Sequence, residues 1–315
     1  MQIFFHSISG VLIILVMIML GYALTIKGWI GKSSSALIAK LVTQVALPCY
    51  MIDTIVQRFS AKELVELIPQ MRFPAFSMVA LLGIAVAVAQ IFSVDKKHRG
   101  LFISMFFNSN TVFVGLPINQ VLFGDKSIPY VLVYYMCNTT FFWTIGTYLI
   151  QKDGKSHVIF DWRDSLRKIF SPPLLGFLLG IVLVISGVHL PDFFMKDLEY
   201  IGNLTVPLSM LFIGFSLAHA GFGQFSLSKD HLLIMLGRFA IAPLLMALIV
   251  SFTAMPTLMK QVFIIQSAMP VMTNAPVVAR LYGADSDYAA VMVTETTLMT
   301  MLVVPFLMFF VEKLQ

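Results

Sequence analysis

Charge-free runs of membrane-crossing length leave this chain few possible folds. No Asp, Glu, Lys or Arg occurs in Met1–Ile26, Phe73–Val94, Gly100–Gly124, Ser127–Gln151, Ile169–Pro191, Tyr200–Ser228, Phe239–Met259 or Gln261–Ala279. A helix needs roughly 20 apolar residues to cross the hydrocarbon core, so each run is a candidate span. Two more carry internal charge: Ser34–Gln57, with Lys40 and Asp53, and Tyr288–Val311, with Glu295. The expected fold class is an all-α polytopic membrane protein with ten transmembrane helices. The first run has no basic residue ahead of it and is too long for a signal-peptide core, so it reads as a retained helix. With 58% hydrophobic and 12% charged residues, a soluble fold has too little polar surface to cover the rest.

The net charge of +5 does not indicate a nucleic-acid partner, because the basic residues collect in short loops. Taken alternately, the loops of one side hold twelve Lys and Arg and those of the other hold seven. The positive-inside rule then predicts both termini outside, a cytoplasmic Gln151–Lys168 loop and residence in the cell membrane. Cys49 and Cys137 lie within predicted spans and suggest neither a disulfide framework nor a metal site.

The charged linker 152–168 separates 1–151 from 169–315, with five predicted spans in each part. An odd number of spans reverses the polarity of the second part, so a shared fold would make the two inverted repeats. At an offset of 159, Pro48 falls on Pro207, Met51 on Met210, Pro117 on Pro276, Leu122 on Leu281 and Gly124 on Gly283. Two proline pairs in register, in different helices and without a gap, are hard to attribute to chance.

The fourth span holds Asn108, Ser109, Asn110 and Thr111 ahead of Pro117, and the ninth holds Thr273 and Asn274 ahead of Pro276. Proline removes a backbone donor, so both helices are expected to break. Freed backbone groups in hydrocarbon are costly unless they line a polar cavity or bind something. Half-helix N-termini carry partial positive charge, which suits an anion such as a carboxylate. Interhelical hydrogen bonds and kinks explain either cluster alone, whereas the symmetric pair favours a binding site. Asn138 joins the candidate set from the fifth span. Gln44, Asn203 and Thr139 are weighed evenly between cavity lining and interhelical bonding.

Glu295 and Arg238 lie eight positions inward from Asp287 and Asp230, about 12 Å of helix. They are expected to pair, with Glu295 as a proton-coupling group and Arg238 as its counter-charge, against the alternative of a static ion pair. His6, His157 and His231 fall near membrane edges or in loops and are given no role.

Asn110-Thr111-Val112-Phe113-Val114-Gly115-Leu116-Pro117, together with Ala275-Pro276-Val277-Val278-Ala279-Arg280-Leu281-Tyr282-Gly283-Ala284-Asp285, resembles the auxin efflux carrier family. That family includes plant auxin exporters and bacterial permeases for malate and malonate. The resemblance implies an elevator-like carrier, often a homodimer, with spans one, two, six and seven as scaffold and the other six moving. It also implies carboxylate binding at the crossover of spans four and nine, here Asn110, Pro117 and Pro276, with Thr273 and Asn274 added by position. The short central linker departs from many plant members, and the family pattern gives Glu295 no role.

The function expected is therefore secondary transport of a small organic anion, with a dicarboxylate such as malate or malonate as the leading substrate. No nucleotide-binding motif or other cofactor signature occurs, which leaves substrate gradients or a coupling ion, H⁺ or Na⁺, as the driving force. A membrane-embedded enzyme would need paired acids, a zinc motif or a Ser/His pair, and none is present in the spans. A receptor or sensor is the remaining alternative.

Overall fold

The computed structural model describes residues 2–154, 161–220 and 228–311, and these are helical apart from short connections. In chain order the helices are α1 (Gln2–Ile26), α2 (Lys32–Leu41), α3 (Leu47–Arg58), α4 (Ala61–Leu67), α5 (Arg72–Ile91), α6 (Arg99–Phe107), α7 (Leu116–Phe123), α8 (Ile128–Phe141) and α9 (Thr147–Asp153). They continue as α10 (Trp162–Ile169), α11 (Pro172–Ser186), α12 (Asp192–Gly202), α13 (Thr205–Ala220), α14 (Lys229–Leu236), α15 (Ala242–Ser251), α16 (Thr257–Ser267), α17 (Ala275–Tyr282) and α18 (Ser286–Val311). Single π turns join α2 to α3, α8 to α9 and α14 to α15, and a fourth, Thr111–Gly115, heads α7. Residues 155–160 of the predicted linker lie outside the described residues, and α10 occupies its end.

Five continuous helices are long and apolar enough to cross a membrane: Ser33–Arg58, Ala61–Ile91, Asp192–His219, Lys229–Ser251 and Ser286–Val311. Shorter apolar helices cover Leu12–Ile26, Thr111–Phe123 and Pro172–Ser186. Two predicted spans sit elsewhere than the charge-free windows placed them. The window Phe239–Met259 becomes the helix Lys229–Ser251, which carries Arg238, fully buried, near its middle. The window Tyr200–Ser228 becomes Asp192–His219, because the charged turn containing Lys196, Asp197 and Glu199 is itself helical.

The helices pack in two groups. In the first, α1 runs along α13 while α3 packs on α11 and α12. Small residues permit this approach, since apolar helices in lipid gain by close contact rather than by leaving water. A Cβ on Gly21 would sit 2.5 Å from the Leu211 carbonyl oxygen, and one on Gly214 would sit 2.2 Å from that of Ile18. The second group joins α5, α6, α9, α14, α15, α17 and α18 around a buried cluster that includes Phe102, Phe106, Phe142, Ile234, Ala279 and Met292.

Candidate functional site

Two helices, α6 and α16, stop and restart after an extended stretch. α6 ends at Phe107 and its continuation begins at Thr111; α16 ends at Ser267 and α17 begins at Ala275. The two stretches cross, with Ser109 and Val271 forming an antiparallel bridge, the only β pairing among the described residues. Asn110 N–H donates to the Pro270 carbonyl at 2.8 Å. Each backbone group freed by the break has to find a partner, because a buried orphan costs free energy comparable to a lost hydrogen bond. Asn138 supplies two, Ser109 Oγ donates to the Gln266 carbonyl at 3.3 Å, and Val271 N–H donates to Thr296 Oγ1 at 3.1 Å.

Pro276 sits in the first turn of α17, where the missing N–H would lack a helical partner anyway and the fixed φ suits the start of a helix. Pro117 sits later, after the π turn Thr111–Gly115 that opens its half-helix, so neither proline lies at the break itself. The Asn-rich extended residues ahead of both half-helices form the gap. The crossing is tight: a Cβ on Gly115 would sit 2.3 Å from Gln266 Oε1.

Arg238 is fully buried and gathers the outgoing ends of both interrupted helices. Its Nε and Nη2 donate to the Met269 carbonyl at 3.0 Å, Nη1 to Phe106 at 3.1 Å, and Nη2 to Ser267 as well. Phe106 and Ser267 carry C-terminal carbonyls of α6 and α16, where helix dipoles are negative, and Met269 lies just past the end of α16. The guanidinium compensates both. With the negative ends covered, the opposite side of the crossover presents the positive ends of α7, with its π turn, and of α17.

That side opens on a cavity of about 710 Å³. Asn110, Thr111, Thr273 and Asn274 line it, with Gln44, Thr139, Trp143, Lys40 and Arg167. Asn110 is 3% exposed; its Oδ1 caps the half-helix by accepting from Phe113 N–H at 3.1 Å. Its Nδ2 is buried without a hydrogen-bond partner among the described residues. Lys40 on α2, Leu47 on α3, Pro172 on α11 and Phe212 on α13 complete its lining.

Four sequence candidates are not among the lining residues. Asn108, whose Nδ2 donates to the Ser104 carbonyl at 3.1 Å, and Asn138 support the crossover from behind, and Pro117 and Pro276 lie past it. Asn203 is exposed at the end of α12. Lys40 and Arg167 were counted only as a span charge and a linker charge, and a fold-independent reading has no means of bringing both to one cavity.

The expected pairing of Glu295 with Arg238 does not form. Glu295 Oε2 is 2.8 Å from His231 Nδ1, and Arg238 is engaged with carbonyls. Equal depth along two helices does not bring side chains together when the helices are displaced along their axes. Here α18 presents Glu295, in its third turn, to the first turn of α14.

A profile of the family described as "Membrane transport protein" matches residues 6–163 and again 157–308. An uncharacterized transporter of Methanocaldococcus jannaschii is 26% identical over 301 residues, covering 93% of this chain and 95% of its own. An uncharacterized transporter of Methanothermobacter thermautotrophicus is 28% identical over 309 residues, covering 96% and 98%.

Proposed function

The chain belongs to the membrane transport protein family, the family of the auxin efflux carriers, and from that premise we propose that it is a secondary transporter of small dicarboxylates such as malate or malonate. One observation carries the reading: two half-helix N-termini and the unpartnered Asn110 amide converge on a cavity that also holds Lys40 and Arg167. The crossover offers one carboxylate fixed dipoles and amide donors, and the two cations offer the second a counter-charge. At about 710 Å³ the cavity lies within the roughly 300–1,000 Å³ usual for small-molecule sites.

In this reading the molecule has ten spans in two inverted five-helix halves, 1–151 and 169–315, joined by a cytoplasmic linker, 152–168. The match of α7, Leu116–Phe123, to α17, Ala275–Tyr282, at the sequence offset of 159 supports it. The first packing group is the scaffold and the second, with α7, α8 and α16, is the elevator that carries the crossover, a division supported by the cavity lined by both. Both termini face outward in the cell membrane, so the cavity, with Arg167 in its wall, faces the cytoplasm. A gradient of substrate, or of H⁺ or Na⁺, drives transport, and the working unit is a homodimer.

Uptake of radiolabelled malonate and malate into proteoliposomes tests this. Saturable uptake of a dicarboxylate, competed by the other and weakly by monocarboxylates, is expected. Binding without translocation would identify a receptor instead, and neither uptake nor binding would overturn the dicarboxylate reading.

A further inference from the structure

From the geometry we infer that His231 and Glu295 form a proton-binding site whose occupancy is transmitted to the crossover through the helices that carry them. The side chains of His231 and Glu295 are 7% and 2% exposed, and Nδ1 and Oε2 stand 2.8 Å apart. As neutral imidazole and carboxylate the two side chains together carry one negative charge. One proton taken from water neutralises it, as imidazolium with carboxylate or as imidazole with carboxylic acid.

A graded series of titratable groups connects the pair to the surface. Lys97, 69% exposed, bridges to Asp285 at 3.3 Å. Next to it His98 Nε2 meets Asp230 Oδ2 at 3.0 Å, both less than a fifth exposed. The Tyr288 ring stacks on His98 at 4.4 Å between centroids and lies 5.2 Å from the His231 ring. The Tyr288 ring thus lies between the two histidines, with His98 on the side nearer the surface. The other charged groups on the segments packed here are Asp95, Lys96 and Arg99 beside His98, Lys152 and Asp153 on α9, Lys229 on α14, Arg280 on α17 and Asp287 on α18.

Both members of the pair sit on helices that hold the crossover. Seven residues beyond His231, the same continuous helix carries Arg238, which binds the ends of α6 and α16. The residue after Glu295 is Thr296, whose hydroxyl holds Val271 N–H in the extended strand opposite Ser109. A change in pair geometry therefore acts on the crossover from two sides. Coupling to substrate rests on the transport reading, whereas proton binding and its effect on the crossover do not.

The test uses the full-length protein in nanodiscs without substrate. pH-difference infrared spectra should show a carboxyl band that disappears in Glu295→Gln and shifts in His231→Gln. Alkylation of a single cysteine at the cavity position, Val277→Cys in a protein with Cys49 and Cys137 replaced by serine, should change several-fold with pH relative to the same reporter carrying Glu295→Gln. Thr296→Val should keep the infrared band and lose part of that labelling response. Identical spectra and identical pH responses in Glu295→Gln and His231→Gln would overturn the site, and a full labelling response in Thr296→Val would overturn transmission through Thr296. If malonate and malate are neither bound nor transported while the labelling response still depends on Glu295, the dicarboxylate reading fails and the proton site stands.

Discussion

Asn138 pairs with the backbone of Ser109 as one strand pairs with another: its Nδ2 donates to the Ser109 carbonyl at 2.7 Å and its Oδ1 accepts from Ser109 N–H at 2.9 Å. One side chain from α8 thus satisfies both polar groups of a residue that has left its helix. Asn138→Leu keeps the volume and orphans the Ser109 N–H, at about 1–3 kcal/mol, while the Ser109 carbonyl keeps the bond from Thr111 N–H. A clear fall in Tm in detergent is expected. An unchanged Tm would mean that other donors and acceptors take over.

Arg238 is expected to tolerate neither Gln nor Lys. Each orphaned carbonyl costs about 1–3 kcal/mol, and a lysine lacks the planar fork that reaches α6 and α16 together. Because Arg238 and Glu295 have separate partners, adding Glu295→Gln should not rescue Arg238→Gln. A double-mutant cycle on stability should give less than about 0.5 kcal/mol of coupling for that pair, and a larger value for His231 with Glu295. Strong rescue of Arg238→Gln would restore the direct pair.

How much of this the sequence disclosed depended on whether the signal was local. The interruptions at Asn108–Asn110 and near Thr273–Asn274 were legible, because polar residues and prolines stand out in apolar windows. Span limits were less so: excluding charge moved the window past Arg238, which only tertiary carbonyls make tolerable in a buried helix. His231 passed as a membrane-edge residue because its partner lies 64 positions away. Lys40 and Arg167 share a cavity only once α2 and α10 are placed.

Surface pairs give a topology test. Arg58 and Asp125 meet at 2.6 Å, which puts their two connections on one face, whereas Lys97 and Asp285 join two others. Cysteines at the exposed Lys126 and Lys96 positions, in a background free of native cysteine, should react with an impermeant thiol reagent from opposite sides of sealed vesicles. Lys126→Cys is expected to react from outside. Reaction of both from one side would overturn the span arrangement.

Asp285, in the connection before α18, gives a pH signature. Burial raises its pKa, but the Tyr288 N–H bond and Lys97 outweigh that and hold it below the ordinary carboxylate value. A depressed folded-state pKa stabilises the protein above the unfolded value, about 3.9, and this stabilisation is lost as pH falls through the folded value. The Tm difference between wild type and Asp285→Asn should be present near neutral pH and shrink below about pH 4. A difference that persists undiminished in acid would show that the ionised form is not what stabilises.

The cavity predicts different effects for its two ends. Asn110→Ala and Asn274→Ala remove donors at the crossover, and each lost hydrogen bond to a charged group is worth about 1.5–3 kcal/mol, or roughly 10- to 150-fold in affinity. If the crossover holds the carboxylate common to all substrates, as proposed, these variants should weaken dicarboxylates and monocarboxylates alike. Lys40→Gln and Arg167→Gln act at lining positions outside the crossover, where both side chains are solvent-exposed and the interaction is screened. Their losses should be smaller, a few-fold, confined to dicarboxylates and reduced as salt is raised. Inhibition constants for malonate and for acetate, measured against labelled malate in all four variants at two ionic strengths, separate the cases. Equal losses for both acids in Lys40→Gln and Arg167→Gln would remove the second carboxylate from these cations, and wild-type constants in Asn110→Ala and Asn274→Ala would remove the first from the crossover.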